Sequence, residues 1–182
     1  MVILVIGVGF LLLVIAITAI DTQSNGFFSQ ERIGQYGKPF LIYKLQTLHS
    51  KTNKTSFLGR MLRKTKLDEI PQIFNLLKGE MTLVGPRPDI SGYADNLAGA
   101  DQIILKLKPG ITGLASLKYR NEEQLLAQQT NPQHYNDEVI WPDKVRINKW
   151  YAENRTISMD LQILFYTLVP IPFDVETFMG KR

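Results

Sequence analysis

FLGRMLRKTKLDEIPQIFNLLKGEMTLVGPRP, residues 57–88, sets three kinds of local structure in a row. Phe57 to Leu67 has the spacing of a basic amphipathic helix, with Arg60, Arg63, Lys64 and Lys66 among its apolar positions. A second helix is predicted from Asp68 to Glu80, acids at its start and Lys78-Gly79 as its stop signal. Met81 to Pro88 then reads as a short extended piece that breaks into a rigid turn. Outward from this stretch, residues 38–45 (KPFLIYKL) read as a strand and residues 50–56 as a polar loop. Residues 106–114 (LKLKPGITG) read as another strand and turn. Residues 144–154 and 159–168 have helical spacing with aromatic faces, and Pro170 and Pro172 stop the last helix. The sum is a mixed α/β fold, a small helical domain with short strands.

The 182-residue length implies one compact domain with at most an appended element. Residues 1–20 carry no charge, and their length matches the hydrocarbon core of a bilayer. No basic residues precede this run, as a secretory signal would require. Residues 21–66 instead hold nine Lys/Arg against two acids, and by the positive-inside rule that places the rest of the chain in the cytoplasm. The expected organisation is a membrane-inserted helix over 1–22, re-entrant or spanning, and a membrane-associated cytoplasmic domain over 23–182 with interfacial amphipathic helices. Met1 begins abruptly inside apolar sequence, so a longer natural N-terminus is expected. With no cysteine, disulfide scaffolds, Cys-zinc sites and thiol nucleophiles are excluded. With two histidines, His49 and His134, a three-His metal site is excluded as well.

Three constellations carry candidate chemistry. Asp68-Glu69 comes just after Arg63, Lys64 and Lys66. Adjacent acids at a helix start are commonly no more than favourable partners of the helix dipole. A carboxylate flanked by cations also keeps a low pKa, and once ionised it can attack phosphorus or hold Mg²⁺. Backbone N–H groups at the same helix start offer a place for a phosphate oxygen. In Val84-Gly85-Pro86-Arg87-Pro88 the prolines fix the backbone around Arg87, whose planar fork suits phosphate; the plainer reading is a rigid surface turn. Residues 32–39 (RIGQYGKP) match no phosphate-loop or dinucleotide pattern and read as a hairpin turn.

Taken together, FFSQERIGQYGKPFLIYKLQT (27–47), LGRMLRKTKLDEIPQIFNLLKGEMTLVGPRP (58–88) and KPGITGLASLKYRN (108–121), behind an apolar N-terminus, resemble the bacterial sugar transferases, the monotopic polyprenyl-phosphate phosphoglycosyl transferases. The resemblance implies transfer of a sugar-1-phosphate from a nucleotide sugar, a UDP-sugar by expectation, to polyprenyl (undecaprenyl) phosphate. It implies Asp68 as a nucleophile that becomes covalently attached to the phosphosugar, Glu69 as its catalytic neighbour, and Mg²⁺ held by Asp68 and Glu69. It further implies phosphate or substrate contacts from Arg87, Arg63, Lys44, Pro86 and Pro88. Three departures stand out. Residues 1–20 lack the family's helix-breaking proline. Leu45-Gln46 replaces the usual Phe-Arg. Lys66 stands where a small hydroxyl residue is common and adds charge near Asp68.

The expected partners are a UDP-sugar, polyprenyl phosphate and membrane lipids, with a homodimer compatible with the sequence. The expected location is the cytoplasmic face of the bacterial inner membrane. Nucleic acid is not expected, because the basic stretch lacks interleaved stacking aromatics. Two rival readings are a catalytically degenerate family member and a basic scaffold that docks on anionic lipid.

Overall fold

The computed structural model describes residues 2–169 and 171–180, and the side chains of all of these but residues 2–8, 10 and 11. In chain order the elements are α1 (Val2–Thr22), β1 (Phe27–Ile33), β2 (Pro39–Leu45), α2 (Phe57–Lys64), α3 (Ile73–Leu77), β3 (Thr82–Val84), β4 (Gly110–Thr112), α4 (Leu114–Lys118), α5 (Glu122–Ala127), α6 (Pro132–Tyr135), α7 (Trp141–Asn154), α8 (Ile157–Leu168) and α9 (Val175–Gly180). The mixed helix-and-strand reading holds. The sheets are small: β1 pairs with β2, and β3 pairs in parallel with β4, Thr82 opposite Gly110 and Val84 opposite Thr112. The chain forms two compact units, residues 1–32 with 40–79, and residues 33–39 with 80–182.

In the first unit the chain leaves α1 and doubles back against it. Gly26 makes this turn at φ +73°, where a Cβ would lie 2.3 Å from the carbonyl oxygen of Ile15. Thr18 and Thr22 are buried, their hydroxyls turned onto carbonyls one helical turn back. Asp21 accepts a hydrogen bond from Ser56, whose own oxygen caps α2 by accepting from the Gly59 N–H at 2.9 Å. Leu62 of α2 joins Ile42 and Leu45 of β2 in the core. Asn75 of α3 is fully buried and treats β2 as a neighbouring strand would. Its amide donates to the Leu41 carbonyl at 2.7 Å and its oxygen accepts from the Tyr43 N–H at 3.3 Å.

The second helix of the 57–88 stretch departs from expectation. Pro71 lacks the N–H that an α-helix through this point requires, so residues Leu67–Gln72 wind as a 3-10 helix and α-helix begins only at Ile73. Its end is as predicted, with Gly79 at φ +72° and its N–H bonded to the Leu76 carbonyl at 3.0 Å.

The second unit is built on α7 and α8. Ile147 and Tyr151 of α7 and Met159 and Ile163 of α8 are buried against Val84, Leu114 and Leu117. Each such apolar side chain contributes roughly 1.5–3 kcal/mol of burial. The spacing of Met159 and Ile163 leaves Ile157, Leu161, Phe165 and Leu168 on the outer face of α8. Phe165 is therefore not part of the core, while Tyr151 is.

Among the described residues no helix is long and apolar enough to cross a membrane. The expectation of an inserted helix covers residues 1–22, and within that run the side chains of residues 1–8, 10 and 11 lie outside the described ones.

Candidate active site

Four of the residues singled out from sequence lie in the first unit. Lys44 sits at the end of β2, Arg63 on the last turn of α2, and Asp68 and Glu69 on the 3-10 turn beyond it. The link between α2 and that turn is Lys66, a non-glycine residue at φ +58°. This left-handed geometry costs on the order of 1 kcal/mol and reverses the chain sharply, so that Asp68 points inward. Nothing in a lysine advertises this conformation.

Asp68 is only 7 % exposed, although its sequence neighbours are cations. Its Oδ1 is buried with no hydrogen-bond partner. Burial pushes the carboxyl pKa above its ordinary value, and Glu69 beside it adds to the rise; Lys44, Lys66 and Arg63 pull against it and do not prevail. This corrects the expectation that flanking cations hold Asp68 low: desolvation outweighs them.

Glu69 receives the Lys44 ammonium at 2.9 Å, a pair in which both side chains are largely buried. Its backbone N–H is bonded to the Lys66 carbonyl at 3.2 Å, so the start of this turn is not an open row of N–H donors for phosphate. Arg63 donates from Nε to the buried Thr47 hydroxyl at 2.8 Å, which fixes the side chain beside β2. Gln46 donates to the Leu48 carbonyl at 2.8 Å. It serves the local turn.

Arg87, Pro86 and Pro88 belong to the second unit. Both prolines are buried and Arg87 between them is exposed, so the arginine is the part of the turn that faces outward. The turn is held by the 108–113 segment: the Gly85 N–H donates to the Thr112 carbonyl at 2.9 Å and the Gly110 N–H to the Pro86 carbonyl at 2.8 Å. A cavity of about 30 Å³ beside Arg87 has room for about one water molecule, not for a sugar. A roomier cleft of about 390 Å³ lies next to Lys118, Arg120 and Phe173. Its cations are engaged already, Lys118 by Asp143 and Glu176, and Arg120 by the Tyr166 carbonyl.

Among the described residues no group of three or more His, Asp or Glu side chains is placed to hold a metal ion. Two neighbouring carboxylates, one with an orphaned buried oxygen, are still the kind of donor set that suits Mg²⁺, which takes one or two protein carboxylates and fills its shell with water and phosphate oxygens.

A family model described as bacterial sugar transferase matches residues 1–173. The chain is 33 % identical to the uncharacterized sugar transferase EpsL of Bacillus subtilis (strain 168), with 87 % of this chain and 75 % of that protein covered. It is 35 % identical to a UDP-glucose:undecaprenyl-phosphate glucose-1-phosphate transferase of Klebsiella pneumoniae, covering 87 % of this chain and 35 % of the relative. It is 30 % identical to an undecaprenyl-phosphate galactose phosphotransferase of Salmonella typhimurium, covering 80 % of this chain and 33 % of the relative. The chain thus spans three quarters of the first and about a third of the other two.

Proposed function

The chain belongs to the bacterial sugar transferase family, and on that footing we propose that it transfers a sugar-1-phosphate from a UDP-sugar to undecaprenyl phosphate through a phosphosugar bound covalently to Asp68. The observation that carries this reading is a carboxylate that is buried, orphaned at Oδ1 and surrounded by Lys44, Arg63 and Lys66. A desolvated carboxylate has shed the water that blunts its nucleophilicity, and the nearby cations match the charge of incoming phosphates.

In the first half-reaction an Asp68 oxygen attacks the β-phosphorus of the donor. The phosphoanhydride bond breaks and UMP leaves with its electron pair. In the second, a phosphate oxygen of the polyprenyl acceptor attacks the same phosphorus, and the bond to Asp68 breaks. The product is polyprenyl diphosphate sugar, and the carboxylate is regenerated. Lys44 orients Glu69 beside Asp68, and Arg63 offers positive charge from α2. Arg87 binds a substrate phosphate, with Pro86 and Pro88 as its frame. Asp68 and Glu69 would hold Mg²⁺, and the ion would neutralise phosphate charge when bound.

The acceptor is a lipid, so the reaction belongs at a membrane surface. Apolar exposure supports this in the first unit: Leu12, Leu13 and Ile20 on α1 and Phe57 on α2 are each more than half exposed. In the second unit the outer face of α8 is apolar as well. The membrane is proposed as the bacterial inner membrane, with residues after 22 on its cytoplasmic face.

The test is UMP release from UDP-glucose and UDP-galactose, with the chain in membranes supplied with undecaprenyl phosphate. Wild-type protein is expected to release UMP and Asp68→Asn to lose the activity by at least a thousandfold. Near-wild-type turnover by Asp68→Asn overturns the reading. Salt-sensitive liposome binding with no turnover on any nucleotide sugar favours the docking scaffold instead.

A further inference from the structure

We propose that Gly110 and Gly113 are positioning residues for the reaction: they form a backbone seat that fixes the Gly85-Pro86 peptide and thereby the direction in which Arg87 is presented. The inference rests on the reading of Arg87 as a phosphate-binding residue and takes that phosphate to be the donor's.

Gly113 has an extended backbone, φ −172°, that any residue adopts, so conformation does not explain a glycine there. Space does. A Cβ on Gly113 would lie 2.2 Å from the Gly85 carbonyl oxygen, and one on Gly110 would lie 2.2 Å from the Gly85 nitrogen. Real Cβ atoms do not approach backbone so closely, and backbone cannot swing aside as the end of a side chain can. From the other side, a Cβ on Gly85 would meet the Lys108 carbonyl oxygen at 2.5 Å. Three glycines therefore interlock without side chains. The seat is closed by hydrogen bonds from the Gly85 N–H to Thr112 and from the Gly110 N–H to Pro86, at 2.9 and 2.8 Å.

This seat is anchored in turn. The Thr112 hydroxyl meets the Thr167 hydroxyl of α8 at 2.7 Å, which ties β4 to the core helix. The distance from seat to guanidinium is short in sequence, since Arg87 is one residue beyond Pro86 and the prolines allow little rotation between them. A shift at Gly85 therefore moves the Arg87 backbone, from which the side chain is presented. The turn's partner segment is KPGITG, which the sequence presents only as a strand and a turn.

The experiment measures steady-state kinetics of full-length Gly113→Ala in membranes, alone and combined with Arg87→Ala. Thr112→Val, isosteric and lacking the hydroxyl that reaches Thr167, serves as a second variant should Gly113→Ala fail to unfold cooperatively. A merely structural defect lowers the active fraction and so kcat, leaving both KM values in place. Loss of positioning raises the donor KM, about tenfold, with the acceptor KM within twofold. In the Arg87→Ala background the same substitution is expected to change the donor KM by less than twofold, because the residue it works through is gone. A fall in kcat alone, or an undiminished KM effect in that background, overturns the inference. If Arg87→Ala leaves the donor KM unchanged, the reading of Arg87 falls and the inference with it. If Arg87→Ala raises it and neither seat variant does, only the inference falls.

Discussion

Asp68→Asn is expected to stabilise the fold while abolishing activity. The native carboxyl is 7 % exposed, its Oδ1 has no partner, and burial raises its pKa above that of the unfolded chain. An acid with a raised native pKa binds its proton more tightly when folded. Its ionised form therefore penalises the fold, the penalty grows as pH rises through the native pKa, and it vanishes where Asp68 is protonated in both states. A buried polar group without a partner costs about 1–3 kcal/mol, more when charged. Lys44, Lys66 and Arg63 return part of that. The net gain on neutralisation is about 1 kcal/mol, or roughly 2–4 °C in Tm for a chain of this size. The assay is thermal unfolding of wild-type and variant protein in the same detergent, without nucleotide or divalent cation, at pH 7.5 and at successively lower pH. The variant is expected to unfold at higher temperature at pH 7.5, and the difference to shrink with acid. An Asn variant that is equal or less stable at pH 7.5, or an advantage that grows as pH falls, would show that the buried carboxylate does not burden the fold.

Other expectations come from single contacts. Lys44→Met removes the ion pair with Glu69 and one of the charges that lower the Asp68 pKa. The acid limb of the pH profile of donor kcat/KM should therefore move to higher pH, and an unmoved limb contradicts the assignment. Ser56→Ala deletes the cap of α2 and its bond to Asp21, a loss of about 1 kcal/mol by chemical denaturation. Ser56→Thr should recover most of it. Asn75→Ala leaves the Leu41 carbonyl and the Tyr43 N–H without the buried amide that pairs them, and about 2–4 kcal/mol of stability is expected to go. A Tm within two degrees of wild type would show that β2 does not need it.

What the sequence discloses is what local chemistry decides. α2 is legible because its alternation of apolar and basic residues is local and strong, and α7 and α8 because their helical spacing is strong. The strand at 39–45 and the stop at Gly79 are legible for the same reason. The first turn of the Asp-Glu segment is different: its apolar period points to α-helix, and the backbone chemistry of Pro71 overrides that period. The burial of Asp68 has no local signal at all. Flanking cations suggest solvent, whereas the left-handed Lys66 and the tertiary packing of the turn decide otherwise. Likewise Asn75 pairs with a strand more than thirty residues away, and Gly85 with glycines 25 and 28 residues on. Such pairings leave no mark in a single sequence.

The covalent intermediate at position 68 is the central claim. Protein incubated with UDP-sugar and Mg²⁺ in the absence of polyprenyl phosphate, then digested and analysed by mass spectrometry, should carry a phosphosugar on the peptide containing Asp68, and the modification should disappear when the acceptor is added. UMP release with acceptor present, but with that peptide unmodified under rapid acid quench, would contradict it.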